Sequence, residues 1–172
     1  MNRVSGRMTA VVRPITLGDI AGMRDCVGAV ASEGRYLAVT QPFTLQETAL
    51  FVARNVEGGY PQYVADDDGR IVGWCDITPK RGNVHAHVGE LGMGLLQGFR
   101  GHGLGSKLIS AALEAARARW EQVELSVYAS NTQAAALYRK FGFVECGRFE
   151  RGRKHDGAYD DVILMARCFD AR

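Results

Sequence analysis

"LGMGLLQGFRGHGLGSKLISAALEAARARW", Leu91 to Trp120, reads as a strand, then a glycine-spaced loop carrying one arginine, then a helix. Gly101, Gly103 and Gly105 fall at alternate positions. With no Cβ, they let the backbone turn its N–H groups toward one point at a helix start, where aligned peptide dipoles favour an anion. Arg100 adds a fixed positive charge beside them, so the stretch predicts a phosphate-binding loop. The helix is expected from Gly103 to Arg119, with Leu104, Leu108, Ala111, Ala112 and Ala115 along its buried face.

Two other glycine-rich loops fit this stretch poorly. A G-x-x-x-x-G-K-[ST] loop is excluded because Lys107 is separated from Gly105 by Ser106 and is followed by Leu108. A G-x-G-x-x-G fingerprint fails because its third glycine position is Ser106 counted from Gly101, and Leu108 counted from Gly103. Glu124 stands about twenty residues beyond the loop, where a ribose-binding acid would sit, and keeps a dinucleotide site as a remote alternative.

Working outward, the chain alternates between strands and helices. "AVVRP" predicts a strand closed by Pro14, and a helix follows from about Leu17 with Asp19 near its cap. Thr44 with Glu47 three residues on is a capping box for a second helix stopped at Gly58 or Gly59. "PQYVADDDGRIVGWCDI" alternates into and out of a turn, as two antiparallel strands do. "NVHAHVGELGMGLL" predicts a long central strand feeding the glycine loop. "QVELSVYA" predicts a strand, Asn131 opens a helix that ends before Gly142, and "GFVECGRFERGR" with "YDDVILMARCF" predicts a final hairpin.

A chain of 172 residues with 47% hydrophobic residues is long enough for one continuous core, and no Pro-, Gly- or Ser-rich linker divides it. Residues 9–170 are therefore expected to form one domain after a loose leader at 1–8. A net charge of +2 with well-mixed signs predicts no nucleic-acid stripe and no membrane surface. The basic N-terminus lacks an apolar run of the signal type, so a cytoplasmic protein is expected. Cys26, Cys75, Cys146 and Cys168 show no clustered spacing, which predicts reduced, buried thiols and no metal site. The apolar "YDDVILMARCF" predicts a homodimer if it is an exposed edge, whereas as an interior strand it needs no partner.

The loop Arg100, Gly101, Gly103, Gly105 resembles the R-G-x-G-x-G/A acyl-CoA pyrophosphate loop of the GNAT superfamily of N-acetyltransferases. "VELSVYASNTQAAALYRKFGFVECGR", Val123 to Arg148, is similar to that family's next strand, its Asn-started helix with a tyrosine, and the "GF" opening the following strand. The resemblance implies an α/β fold with a single mixed, twisted sheet of about seven strands, flanking helices, and fourth and fifth strands that splay apart around acetyl-CoA. It places the pantetheine arm along Met93, Gly94 and Leu95, the pyrophosphate on Arg100, Gly101, His102, Gly103, Leu104, Gly105 and Ser106, and Asn131 on the cofactor arm. Gly89, Gly92 and Gly94 agree with this, since they leave the backbone thinly covered, though they equally fit a bulge.

Acetyl transfer to an amine needs a neutral nucleophile and a proton for the departing thiolate. Tyr138, seven residues after Asn131 and on the same helix face, is the candidate donor, with a core tyrosine as the structural alternative. Glu90 matches an acidic position in the phosphinothricin-type part of the family and is the candidate general base. Glu124, His85, His87 and bulk water are the alternatives, and strand alternation sets both histidines on the opposite face from Glu90. Arg139 and Lys140 suit a 3′-phosphate or a solvated helix end. For the acceptor, Arg35, Tyr36 and Phe43 precede the second helix, and Arg153, His155, Asp156 and Tyr159 sit at the last turn. They suit the primary amine of an amino acid or small amine. A protein N-terminal or ribosomal-protein acetyltransferase and a non-catalytic acyl-CoA-binding module are the other readings.

Overall fold

The computed structural model describes residues 10–169, so the expected leader at 1–8 lies outside the described residues. The strands are β1 (Val11–Pro14), β2 (Gln62–Asp67), β3 (Arg70–Pro79), β4 (Val88–Leu95), β5 (Gln122–Tyr128), β6 (Val144–His155) and β7 (Ala158–Cys168). The helices are α1 (Ile20–Ser32), α2 (Leu45–Glu57), α3 (Leu104–Ala116) and α4 (Thr132–Lys140). The strands form one seven-stranded sheet in the order β1-β2-β3-β4-β5-β7-β6, which is mixed because β4 and β5 run parallel.

Local chemistry sets most of the boundaries. Thr44 caps α2: its hydroxyl accepts from the Glu47 N–H at 3.2 Å, and Glu47 accepts from the Thr44 N–H at 2.8 Å. Asp68 and Gly69, with φ of 52° and 85°, make the tight turn between β2 and β3 that suits the sheet's twist. β4 is shorter than the expected central strand, because Asn83–His85 form a helical turn in which the His85 N–H donates to the Gly82 carbonyl at 3.0 Å. His85 and His87 therefore precede the strand instead of alternating along it.

The sheet separates two apolar layers. On one face, α3 and α4 bury Leu108, Ile109, Ala112 and Leu113 against Cys75, Ile77, Val123 and Leu125. On the other, α1 and α2 bury Met23, Val27, Val30 and Val52 against Val64, Ile71 and Trp74. The buried face of α3 thus runs through Ile109, Leu113 and Ala116, while the expected Ala111 and Ala115 are only partly covered. Ile109 and Leu113 set which stripe faces the sheet, because each buries more apolar area than the methyl of Ala111 or Ala115 would.

Burial overturns one expectation, and strand order decides between two others. Cys26 and Cys75 are buried, with desolvation pushing the Cys26 thiol up to about 12, but Cys146 and Cys168 are exposed. The apolar run of β7 lies between β5 and β6, so its backbone is paired on both sides and, of the two readings of this segment, the interior strand holds. No helix among the described residues is long and apolar enough to cross a membrane.

Where β1 meets the first helical turn, Arg13 bridges two carboxylates, Asp19 at 2.7 Å and Asp66 at 2.8 Å. The Arg13 hydrogen bonds, with those from the Thr16 backbone and hydroxyl, hold the Asp19 carboxyl down at about 2. Since this pKa is depressed in the folded state, its stabilisation is complete above the ordinary value of 3.8 and is lost as pH falls toward 2. Asp19→Asn is expected to lower unfolding free energy by up to about 2 kcal/mol at pH 7, and the difference should shrink steadily below pH 4 in urea titrations. A difference that stays constant from pH 7 to pH 2 would show that the network contributes nothing through charge.

Candidate active site

β4 and β5 pair in parallel only at Val88↔Gln122, Gly89↔Val123 and Glu90↔Glu124, after which they diverge. Antiparallel pairing takes over on the outer sides, with β3 held to β4 as far as Gly73↔Leu95 and β7 to β5 as far as Tyr128↔Val162. A cleft of about 560 Å³ opens at the divergence, lined by Leu91 to Leu95 on one side and Ser126 to Tyr128 on the other. The β4 and β5 main-chain groups that face it have no ladder partner, so they are donors and acceptors available to an extended ligand.

Gly101, Gly103, Gly105 and Ser106 line one end of the cleft where α3 begins. Gly103 precedes the helix at φ 83°, a left-handed conformation that side chains resist, and a Cβ at Gly101 or Gly103 would project into open space. No side chain caps this helix start. A missing cap costs about 1 kcal/mol, whereas burying a leucine or isoleucine contributes roughly 1.5–3 kcal/mol. Burial of Leu108 and Ile109 therefore holds α3 with its first N–H groups free for an anion.

Arg100 does not aim its charge at that point. Its guanidinium binds both Glu33 carboxylate oxygens, at 2.8 and 2.5 Å, its Nε donates to the Leu95 carbonyl at 2.8 Å, and it lies 4.6 Å over the Tyr36 ring. The arginine instead ties the glycine loop to the end of α1, a tether that leaves the phosphate charge to the backbone and the helix dipole. Glu33 gave no sign of this in the sequence, since a lone acid at a helix end has many uses.

Met93, Gly94, Leu95, Arg100, Gly101, Gly103, Gly105, Ser106 and Asn131 all border the cleft. Leu104 instead points into the core, at 4% exposure, and His102 is exposed outside the lining. Asn131 caps α4 by accepting from the Ala134 N–H at 3.2 Å, and Lys140 reaches the lining while Arg139 does not. Tyr138 borders the cleft from α4, edge-on to Phe143 at 6.0 Å. Burial pushes its phenol upward, so it holds its proton at neutral pH and can act as a donor.

The acceptor and base candidates are placed less uniformly. Tyr36 borders the cleft with Leu37 and Ala38, but Arg35 is exposed and outside the lining. Tyr159 is also outside it, at the hairpin end with Arg151 3.8 Å and Lys154 5.2 Å from its ring centre. Phe43 is 44% exposed. Arg153 does serve the region, donating to the Gly34 carbonyl and lying 4.6 Å over Tyr128, which docks the β6–β7 hairpin on the α1–α2 connection. Glu90 is exposed and not part of the lining, and Glu124 pairs with Lys80.

The acid that the sequence did not single out is Asp76. It sits on β3 opposite Gly92 of β4, 8% exposed, and desolvation pushes its carboxyl up to about 7 against a smaller opposing field from Arg54. The signal was a charged residue in an otherwise apolar strand, "IVGWCDI", which a buried strand tolerates only at a cost.

The family model described as "Acetyltransferase (GNAT) family" matches residues 32–143. L-amino acid N-acetyltransferase AaaT of Escherichia coli is 30% identical over 111 residues, 63% of this chain and 68% of that protein. A GNAT acetyltransferase structure from Streptococcus pneumoniae superposes with a TM-score of 0.86 at 26% identity, covering 93% of this chain and 99% of that one. A phosphinothricin acetyltransferase from Sinorhizobium meliloti, solved with acetyl-CoA, gives a TM-score of 0.86 at 23% identity, over 94% of this chain and 89% of that one. Splayed parallel strands, an uncapped glycine-led helix and a matching family model converge: the chain belongs to the GNAT family and is an acetyl-CoA-dependent N-acetyltransferase.

Proposed function

We propose that the chain moves the acetyl group of acetyl-CoA to the primary amine of an amino acid or similar small amine, by direct attack in a ternary complex. The observation that carries this is that one cleft is lined both by the glycine loop and by Tyr36 to Ala38 of the α1–α2 connection. Both substrates can then be held together. The cleft lining contains no cysteine, and Cys75 is buried with its thiol pushed well above the ordinary range, so a thiol acyl carrier is disfavoured. The similarity to an L-amino acid N-acetyltransferase supports an amino-acid acceptor. Docking of the β6–β7 hairpin on the α1–α2 connection, beside Tyr36 to Ala38, also suits a small molecule better than a protein N-terminus.

Roles follow from the geometry. The free N–H groups at the start of α3 hold the pyrophosphate, and the unpaired β4 backbone from Leu91 onward holds the pantetheine arm and orients the thioester. Tyr138 protonates the departing thiolate, a step for which its desolvated phenol keeps the proton in reserve.

Release of free thiol should be followed with acetyl-CoA and a panel of L-amino acids, L-methionine sulfone and an alanine-initiated peptide. Transfer to one or more free amino acids is expected, and activity confined to the peptide would overturn the small-molecule reading. Gly103→Val should abolish the thermal stabilisation given by acetyl-CoA, because it blocks backbone approach; an undiminished shift would remove the loop from the cofactor site. Tyr138→Phe should lower kcat by roughly 10²-fold while leaving acetyl-CoA affinity within about twofold, as for a donor used only as the thiolate leaves. Parental kcat in that variant would reduce the phenol to a packing role.

A further inference from the structure

Among the described residues no cation pairs with the buried Asp76, although its sheet position could have been filled by an apolar side chain. Its neighbours place it with some accuracy. Trp74, two residues earlier on β3, packs in the α1–α2 layer, so Asp76 faces that layer too. On β2 it stands opposite Gln62, which is 3% exposed, accepts from Asn55 Nδ2 at 2.9 Å, and has no partner for its own Nε2. On β4 it stands opposite Gly92, where a Cβ would lie 3.5 and 3.6 Å from the two carboxylate oxygens. Gly92 borders the cleft. Asp76 is not itself part of the lining, and Gly92 interposes no side chain between its strand and the carboxylate.

We propose that Asp76 is the general base of the transfer, taking the proton of the acceptor's ammonium group across the bare Cα of Gly92. This rests on the N-acetyltransferase reading of the cleft. The ammonium N–H bond breaks toward an Asp76 carboxylate oxygen, leaving a neutral amine and a carboxylic acid. The amine lone pair then forms the N–C bond while the C–S electron pair leaves with sulfur, which Tyr138 protonates. The second amine proton is lost as the amide forms and re-protonates Tyr138, and the Asp76 proton returns to solvent through the cleft mouth. Tyr138 belongs to the α3–α4 layer and Asp76 to the α1–α2 layer, so acid and base address the cleft from opposite faces of the sheet. That separation suits a reaction in which nucleophile and leaving group occupy different sides of one carbonyl.

The groups around Asp76 leave it suited to the task. Arg54 of α2 is the charge whose field opposes its desolvation, and Asn55 and Gln62 are neutral. Further along the same face come the exposed Glu90 and the Glu124–Lys80 pair, and the Glu33–Arg100 pair closes the α1 side. A carboxyl near 7 is half ionised at neutral pH, where a base is most useful. Because its folded pKa is raised, the ionised form opposes folding, and stability is lost as pH rises from the ordinary 3.8 through about 7.

The test compares the parent with Asp76→Asn and Gly92→Ala, using the best acceptor of the panel above. In the parent, log kcat/KM should rise with pH to a bend near 7. Asp76→Asn should lose that bend and about 10²–10³-fold of kcat/KM, with acetyl-CoA affinity by calorimetry unchanged. It should also melt higher than the parent at pH 8 and together with it at pH 4, the opposite of what a stabilising contact would give. Should Asp76→Asn fail to fold, Gly92→Ala decides: its methyl reaches only ordinary contact distance from the carboxylate, yet should lower kcat/KM at least about tenfold by filling the gap. An intact pH bend in Asp76→Asn, or parental kcat/KM in either variant, overturns the proposal. A parent that binds acetyl-CoA but acetylates nothing in the panel sinks the proposed function instead. Asp76 is then judged by the carboxyl ¹³C resonance missing from Asp76→Asn: a midpoint near 7 that drops in excess methylammonium supports an ammonium site, and an unmoved midpoint refutes it.

Discussion

Everything in the site depends on one broken ladder. β4 and β5 hold each other for three residue pairs and then part, although each remains bonded to its outer neighbour. A sheet interrupted in its middle leaves backbone N–H and C=O groups that elsewhere would be paired, and such groups are costly to bury without partners. The protein tolerates this because one helical layer spans both halves of the sheet, burying Cys75 and Ile77 of β3 together with Val123 and Leu125 of β5. α3 and α4 pack over the divergence on one face, while α1 and α2 cover β2 and β3 on the other. The result is an opening that passes through the sheet rather than lying on its surface.

The cofactor end is held with little side-chain chemistry. A left-handed glycine, free helix amides and open space where Cβ atoms would project make a cradle of main chain alone. The arginine beside it serves as a fastener, joining the loop to Glu33 and Tyr36 at the acceptor end. Loop position and acceptor wall are therefore mechanically linked through one guanidinium, whose fork geometry fixes direction as well as distance.

Much of this was legible from the sequence. Thr44 with Glu47, the Asp68–Gly69 turn, Asn131 as a cap and the glycine spacing at 101, 103 and 105 are local signals, and each maps onto the element expected of it. What was not legible is set by partners far away in the chain. Arg100 was read as a phosphate ligand because Glu33 is 67 residues distant, and β7 stayed open between an exposed edge and an interior strand because its place between β5 and β6 is a matter of topology. Arg35 and Tyr159 lie outside the cleft lining, since a position in a nearby segment does not fix where a side chain ends up. Asp76 was hidden by its surroundings: within an apolar run one acid looks like an irregularity until the opposing strand shows a glycine.

The docking of Arg153 on the Gly34 carbonyl bears on how the two ends of the site come into being. The cofactor end is drawn from a contiguous stretch running from β4 through α4, whose contacts close over short loops. The proposed acceptor end takes shape once chain segments 119 residues apart have met, and closing so long a loop is entropically slower. Because the arginine holds a backbone oxygen, its grip does not depend on which side chains line the acceptor wall. Residues there can be exchanged in the course of evolution, altering which amine is admitted, while the latch and the cofactor cradle stay as they are.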